Sequence, residues 1–188
     1  MLLAPFETIK NKMARHIILI TGGQRSGKSR YAERTALSMA ENPIYLATAH
    51  IWDEDFRQRV LKHQAYRGPQ WTTIEEERWL SRHDLSGRVV LVDCLTLWAT
   101  NFLFDAATGA ERPAGDDILG ELKQELDRLL CQDATFIFVS NEIGMGGASS
   151  NALQQRFFDI QGSLNQYVAA AADEVTLMVS GIPLKIKG

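Results

Sequence analysis

The stretch Ile17-Ile18-Leu19-Ile20-Thr21-Gly22-Gly23-Gln24-Arg25-Ser26-Gly27-Lys28-Ser29 runs from a short apolar segment into the spacing Gly, four residues, Gly, Lys, Ser. Ile17 to Ile20 is mostly β-branched and reads as a strand, and Ser29 to Met39 reads as a helix. A bare glycine pattern also arises by chance in turns. Strand, glycine loop and helix in that order are the context in which it means a phosphate-binding loop, and Gly22, Gly23, Gln24, Arg25, Ser26, Gly27, Lys28 and Ser29 are its nucleotide-binding candidates. The chemistry explains the residue types. Glycines let backbone N–H groups turn inward on a polyphosphate, Lys28 reaches the outer phosphates as a mobile cation, and the Ser29 hydroxyl lies where Mg²⁺ is held at the positive end of a helix.

Outward from this loop, apolar runs alternate with helical patterns, the signature of a mostly parallel sheet covered on both faces. The expected strands are Ile17 to Thr21, Ile44 to Thr48, Val89 to Asp93 and Thr135 to Ser140. Val175 to Val179 and Leu184 to Ile186, joined by Ser180-Gly181-Ile182-Pro183, read as an antiparallel hairpin at the C-terminal edge. Asp116 to Cys131 carries Leu119, Leu122, Leu126 and Leu129 at helical spacing, and Asn151 to Ala172 carries Leu153, Phe157, Ile160, Leu164 and Val168. Residues 106–115 and 144–150 read as surface loops. The expected fold class is α/β, a P-loop NTPase of the RecA-like kind, with a mostly parallel sheet flanked by helices.

The chain has 188 residues, 45% of them hydrophobic, enough for one good core. Residues 16–188 are expected to form a single catalytic domain, preceded by an extension, 1–15, whose apolar start is too short for a signal-peptide core. A net charge of −3 gives no electrostatic reason to expect nucleic acid, so the partner is expected to be a small molecule. Cys94 and Cys131 have neither disulfide-framework nor zinc-ligand spacing, which suits a reduced, cytoplasmic setting. No apolar run approaches the ~18 residues of a membrane span.

Val89-Val90-Leu91-Val92-Asp93 has the form of a second strand ending in a carboxylate, which in phosphate-loop proteins orders Mg²⁺ and its waters; the competing reading of Asp93 is an ordinary helix N-cap. Glu142, after the strand ending at Ser140, is a second and weaker candidate for Mg²⁺ or for orienting an acceptor hydroxyl. Asp53-Glu54-Asp55 opens a helical pattern with Phe56, Val60 and His63 on one stripe. On such a stripe a histidine is most often a packed core residue, but Arg59, Lys62 and Arg67 around His63 suit a phosphorus centre.

Taken together, these segments resemble a known family, the bifunctional adenosylcobinamide kinase / adenosylcobinamide-phosphate guanylyltransferases of cobalamin assembly. The resemblance covers Ile17 to Lys187. Besides the phosphate loop it rests on Tyr45-Leu46-Ala47-Thr48-Ala49, Asp53-Glu54-Asp55 with Arg59-Val60-Leu61-Lys62-His63, Arg67-Gly68-Pro69-Gln70-Trp71 and Asp93-Cys94-Leu95-Thr96. Ser140-Asn141-Glu142-Ile143-Gly144-Met145-Gly146, Asn165-Gln166, Ala172-Asp173-Glu174-Val175, Gly181 and Lys185 complete it. The resemblance implies phosphoryl transfer from ATP or GTP to the hydroxyl of adenosylcobinamide, with Lys28 catalytic. Guanylyl transfer from GTP then follows through a covalent GMP-histidine at the position of His63. It further implies a nucleotide site lined by Thr48, Ala49, His50, Arg67, Gly68, Pro69, Gln70, Glu75 and Asp93, and a homotrimer. Two departures stand out: Gly147-Ala148-Ser149 replaces the family's usual Ile-Val-Pro, and Asp93 stands where some members carry Glu. The residues alone leave two other readings open, a simple phosphate-loop kinase with no covalent histidine and a GTP-binding regulatory module.

Overall fold

Alternate residues of each expected strand face opposite ways in the computed structural model, which describes residues 15–51, 54, 57–58, 68–105, 107–147 and 150–188. The strands are β1 (His16–Gly22), β2 (Ile44–Ala47), β3 (Thr72–Glu75), β4 (Val89–Asp93), β5 (Thr135–Val139), β6 (Glu174–Val179) and β7 (Ile182–Lys187), and the sheet order is β3-β2-β4-β5-β1-β6-β7. All neighbours run parallel except β6 and β7, which form the expected antiparallel hairpin. β5 lies between the phosphate-loop strand β1 and the Asp93 strand β4, the RecA-like arrangement.

The alternation sorts the core into two layers. Ile18, Ile20, Leu91, Ile137 and Val139 pack with Ala32 and Ala36 of α1 (Lys28–Met39), whose small residues let the helix lie close to the sheet. Ile17, Leu19, Val90, Val92, Phe136 and Phe138 pack on the other face. That face is covered by α2 (Leu95–Leu103), α3 (Ile118–Leu129) and α4 (Ala152–Ala171), with Trp98, Phe102, Leu122, Leu126, Leu164 and Val168 in its core. Asp117 and Asn151 cap α3 and α4 by accepting hydrogen bonds from the Gly120 and Gln154 N–H groups. Of the α4 stripe, Leu164 and Val168 are buried in this core, while Leu153, Phe157 and Ile160, like Leu119 of α3, are partly buried against it.

Two details depart from the sequence reading, and one alternative within it falls away. β3 is not among the expected strands; Thr72-Thr73-Ile74-Glu75 is short, with Ile74 its one apolar residue, and it becomes a strand by pairing with β2 at the sheet edge. The hairpin turn is only Ser180-Gly181, and Ile182 and Pro183 belong to β7, opposite Val179 and Met178. Proline is tolerated there because β7 is an edge strand with one side unpaired. Asp93 is not a helix cap, since Cys94 occupies the N-cap position of α2.

Candidate active site

The strand ends β1, β2, β4 and β5 converge at one edge of the sheet, where ligands of open α/β proteins bind. The phosphate loop leaves β1 there with a backbone only glycine adopts easily at two points. Gly22 has φ +148°, and a Cβ on it would stand 2.5 Å from the Met178 carbonyl oxygen. Gly27 has φ +95° and lies against Gly181 of the hairpin turn, whose N–H donates to the Ser26 carbonyl at 2.9 Å. The C-terminal hairpin therefore braces the loop from behind, which gives Gly181 a physical role that its place in the sequence does not disclose.

Lys28 is buried beneath the loop, and its Nζ donates to the Gly23 carbonyl at 2.6 Å. Burial pushes its pKa below the ordinary lysine value, and Cys94, Asp93 and Glu142 act in the opposite direction. Burial also pushes the Cys94 thiol up to about 12, so at neutral pH Cys94 is uncharged and the two carboxylates carry that opposition. The Ser26 Oγ is buried with no hydrogen-bond partner among the described residues. A desolvated cation and an unpartnered hydroxyl under inward-turning backbone are what a polyphosphate would satisfy.

Asp93 ends β4 opposite Ala47, and the Tyr45 hydroxyl donates to its Oδ2. In the sequence Tyr45 stands out only as part of a motif; its reach to Asp93 depends on the register of β2 on β4. Ser29, half-buried in the first turn of α1, makes no side-chain hydrogen bond among the described residues. One carboxylate and one hydroxyl beside a phosphate cradle suit Mg²⁺, which takes few protein ligands and completes its shell with phosphates and water. No group of three His, Cys, Asp or Glu side chains that could hold a metal ion occurs among the described residues.

Thr48, Ala49 and His50 follow β2 at this same edge. The Thr48 side chain is fully buried and donates to the Cys94 carbonyl at 2.9 Å, so it braces the loop after β4. Ala49, His50 and Glu75 line a cavity of about 470 Å³ together with Glu76 and Glu77, and the His50 Nδ1 lies 2.8 Å from Glu77 Oε2. Gly68, Pro69 and Gln70 are elsewhere. They lead into β3 at the edge where the parallel strands begin, away from the phosphate loop of the same chain. His63, Arg59, Lys62 and Arg67, together with Ala148 and Ser149, lie outside the described residues.

Glu142 is held more firmly than its position in the sequence suggests. Its Oε1 accepts hydrogen bonds from Thr21 Oγ1 at 2.6 Å and Asn165 Nδ2 at 3.3 Å, and its N–H donates to the Gly22 carbonyl at 3.1 Å. Asn165 on α4 is fixed in turn, accepting from Ser140 Oγ at 2.6 Å and Gln161 Nε2 at 2.8 Å. Sequence reasoning gives Asn165 no role, because the helix and the strand end that it joins are distant in the chain.

The family model described as cobinamide kinase / cobinamide phosphate guanyltransferase matches residues 18–186. The chain is 39% identical over 183 residues to the bifunctional adenosylcobalamin biosynthesis protein CobU of Escherichia coli (strain K12), covering 91% of this chain and 99% of that one. It is 40% identical over 177 residues to the bifunctional adenosylcobalamin biosynthesis protein CobP of Pseudomonas aeruginosa, covering 90% and 96%. Among solved structures, the flagellar accessory protein FlaH from Methanocaldococcus jannaschii aligns with 92% of this chain and 78% of its own, at 15% identity and a TM-score of 0.43. A match across nearly the whole chain makes this protein a member of the cobinamide kinase / cobinamide phosphate guanyltransferase family of cobalamin biosynthesis.

Proposed function

We propose that this protein phosphorylates the hydroxyl of adenosylcobinamide with ATP or GTP and then moves GMP from GTP onto the new phosphate, giving adenosylcobinamide-GDP and pyrophosphate. The observation that carries the reading is Lys28, buried and desolvated beneath a phosphate loop in a chain of this family. In the first step Lys28 and the loop N–H groups hold the transferring phosphate, and in-line placement of the acceptor supplies much of the rate. Mg²⁺, held by Ser29 and Asp93, would offset charge on the phosphates when bound. In the second step the His63 imidazole attacks the α-phosphorus of GTP, pyrophosphate leaves, and the acceptor phosphate displaces the histidine. The sequence resemblance at His63 supports this step.

The same reading includes a homotrimer working in the cytoplasm. Ile182, Leu184 and Ile186 of the edge strand β7 are 69%, 54% and 59% exposed in the single chain, an apolar edge that a second copy would cover. Light scattering on the eluting protein tests it, and a monomer at micromolar concentration would remove the trimer.

The decisive experiment incubates the protein with Mg²⁺ and GTP labelled on the α-phosphate, then denatures it and maps the label. An acid-labile, base-stable adduct on His63 is expected, absent in His63→Ala, while phosphorylation of cobinamide by that variant persists. Labelling that survives His63→Ala would place the adduct on another residue and remove His63 as nucleophile, whereas no labelling despite GTP binding would leave the simple kinase or the regulatory module as the better reading.

A further inference from the structure

Beside the phosphate loop opens a cavity of about 650 Å³, walled by Gly23 and Gln24 of the loop, by Glu142, Ile143 and Met145 after β5, and by Phe158 of α4. Its charged group among the described residues is Glu142, whose Oε1 is occupied by Thr21 and Asn165 while its Oε2 has no hydrogen bond or ion pair among the described residues. Its charge is nonetheless felt by Lys28. The apolar part is Met145, 76% exposed, with Phe158, which is half-buried but joins neither core layer, unlike its neighbour Phe157.

A buried polar network is costly in a core unless it holds something in place. Ser140 and Gln161 are fully buried and Asn165 nearly so, and their hydrogen bonds end on the one carboxylate that faces this cavity beside the loop. We propose that the cavity receives the acceptor alcohol of the phosphoryl-transfer step, with Glu142 Oε2 taking the hydroxyl proton and Met145 and Phe158 holding the apolar part of the acceptor. The assignment rests on the kinase reading. In the step, the acceptor O–H bond breaks and its proton passes to Glu142. The oxygen bonds to the γ-phosphorus, and the bond from that phosphorus to the β,γ-bridging oxygen breaks, the nucleoside diphosphate leaving with the electron pair. Glu142 then releases the proton to water. Asn165 is a positioning residue in this scheme, acting through Glu142.

The test measures Mg·ATP-dependent phosphorylation of cobinamide by the full-length protein and by E142Q, F158A and M145S, with Mg·ATP affinity followed separately by fluorescence. E142Q is expected to lower kcat by ~100-fold or more and to keep Mg·ATP affinity and Mg²⁺ half-saturation within about twofold. F158A and M145S are expected to raise the KM for cobinamide by ~10-fold while leaving that for ATP unchanged. An E142Q enzyme within about threefold of wild type overturns the assignment. So does one whose Mg²⁺ requirement rises in step with its loss of rate, which would make Glu142 a metal ligand. Wild-type protein that binds Mg·ATP but leaves cobinamide unphosphorylated overturns the kinase reading as well, a result distinct from either of these.

Discussion

At the edge where the parallel strands begin, charged groups close on one another: Glu174 accepts from His16 at 3.1 Å and pairs with Lys185 at 3.0 Å, and Asp173 Oδ2 accepts from the Ile17 N–H at 2.8 Å. Around the phosphate loop, at the edge where they end, charged groups are gathered but not closed. Lys28 spends its bond on a backbone carbonyl, and among the described residues Glu142 keeps one oxygen unbonded and Ser26 keeps a buried hydroxyl without a partner. The first arrangement pairs its charges within the fold. The second keeps polar groups desolvated and unsatisfied, which costs stability and leaves them ready for a ligand.

The largest expected effect is at the open edge. Lys28→Met should lower phosphoryl transfer by ~100- to 1,000-fold, measured as labelled phosphate on cobinamide, while leaving the melting temperature equal or higher. The sign follows from the depressed pKa of Lys28. Its charged form is penalised in the folded state, so the cost is present at neutral pH and relieved as pH rises through the lowered folded value. The stability gap between variant and wild type should therefore narrow in alkali. A variant clearly less stable than wild type at pH 7 would erase the contrast between the edges.

Next comes Gly22→Ala, where the open edge meets the packing beneath it. The new Cβ would press on the Met178 carbonyl at a φ that side chains rarely adopt, so both nucleotide affinity and stability should fall, the latter by ~1–3 kcal/mol. Calorimetry with and without Mg·ATP checks both. Normal affinity would mean that the loop can shift without losing its ligand.

The smallest effect belongs to the closed edge. Glu174 is partly exposed, its hydrogen bond from Lys185 and then that from His16 holding its pKa below the usual carboxylate value. Its contribution is present above the unfolded value of about 4.3, is lost as pH falls through the lower folded one, and is no more than ~1 kcal/mol after screening. Glu174→Gln should thus lower the melting temperature by ~2–4 °C near neutrality, less in high salt and not at all in strong acid, with turnover unchanged. A marked loss of turnover would show that the closed edge also serves catalysis.

Local pattern carried much of this into the sequence. The strand–loop–helix order announced the phosphate loop, because glycine, lysine and serine must follow one another at fixed spacing to wrap a phosphate. The apolar stripes of α3 and α4 announced their buried faces by period alone. β3 was not legible, since Thr72 to Glu75 has too little apolar alternation to stand out and is a strand only because β2 offers an edge. Nor could Pro183 be assigned to a strand before β7 was known to be an outer one.

By itself the chain determined the phosphate loop, the parallel α/β plan, the antiparallel hairpin and Asp93 at a strand end, each encoded within about a dozen neighbouring residues. Only the tertiary structure decided that Tyr45 meets Asp93, that the Ser180-Gly181 turn braces the loop, and that Thr21 and Asn165 hold Glu142 beside a cavity. Those contacts join residues 48, 155, 121 and 23 positions apart, and sheet order and strand register, which no local window contains, bring them within hydrogen-bond reach.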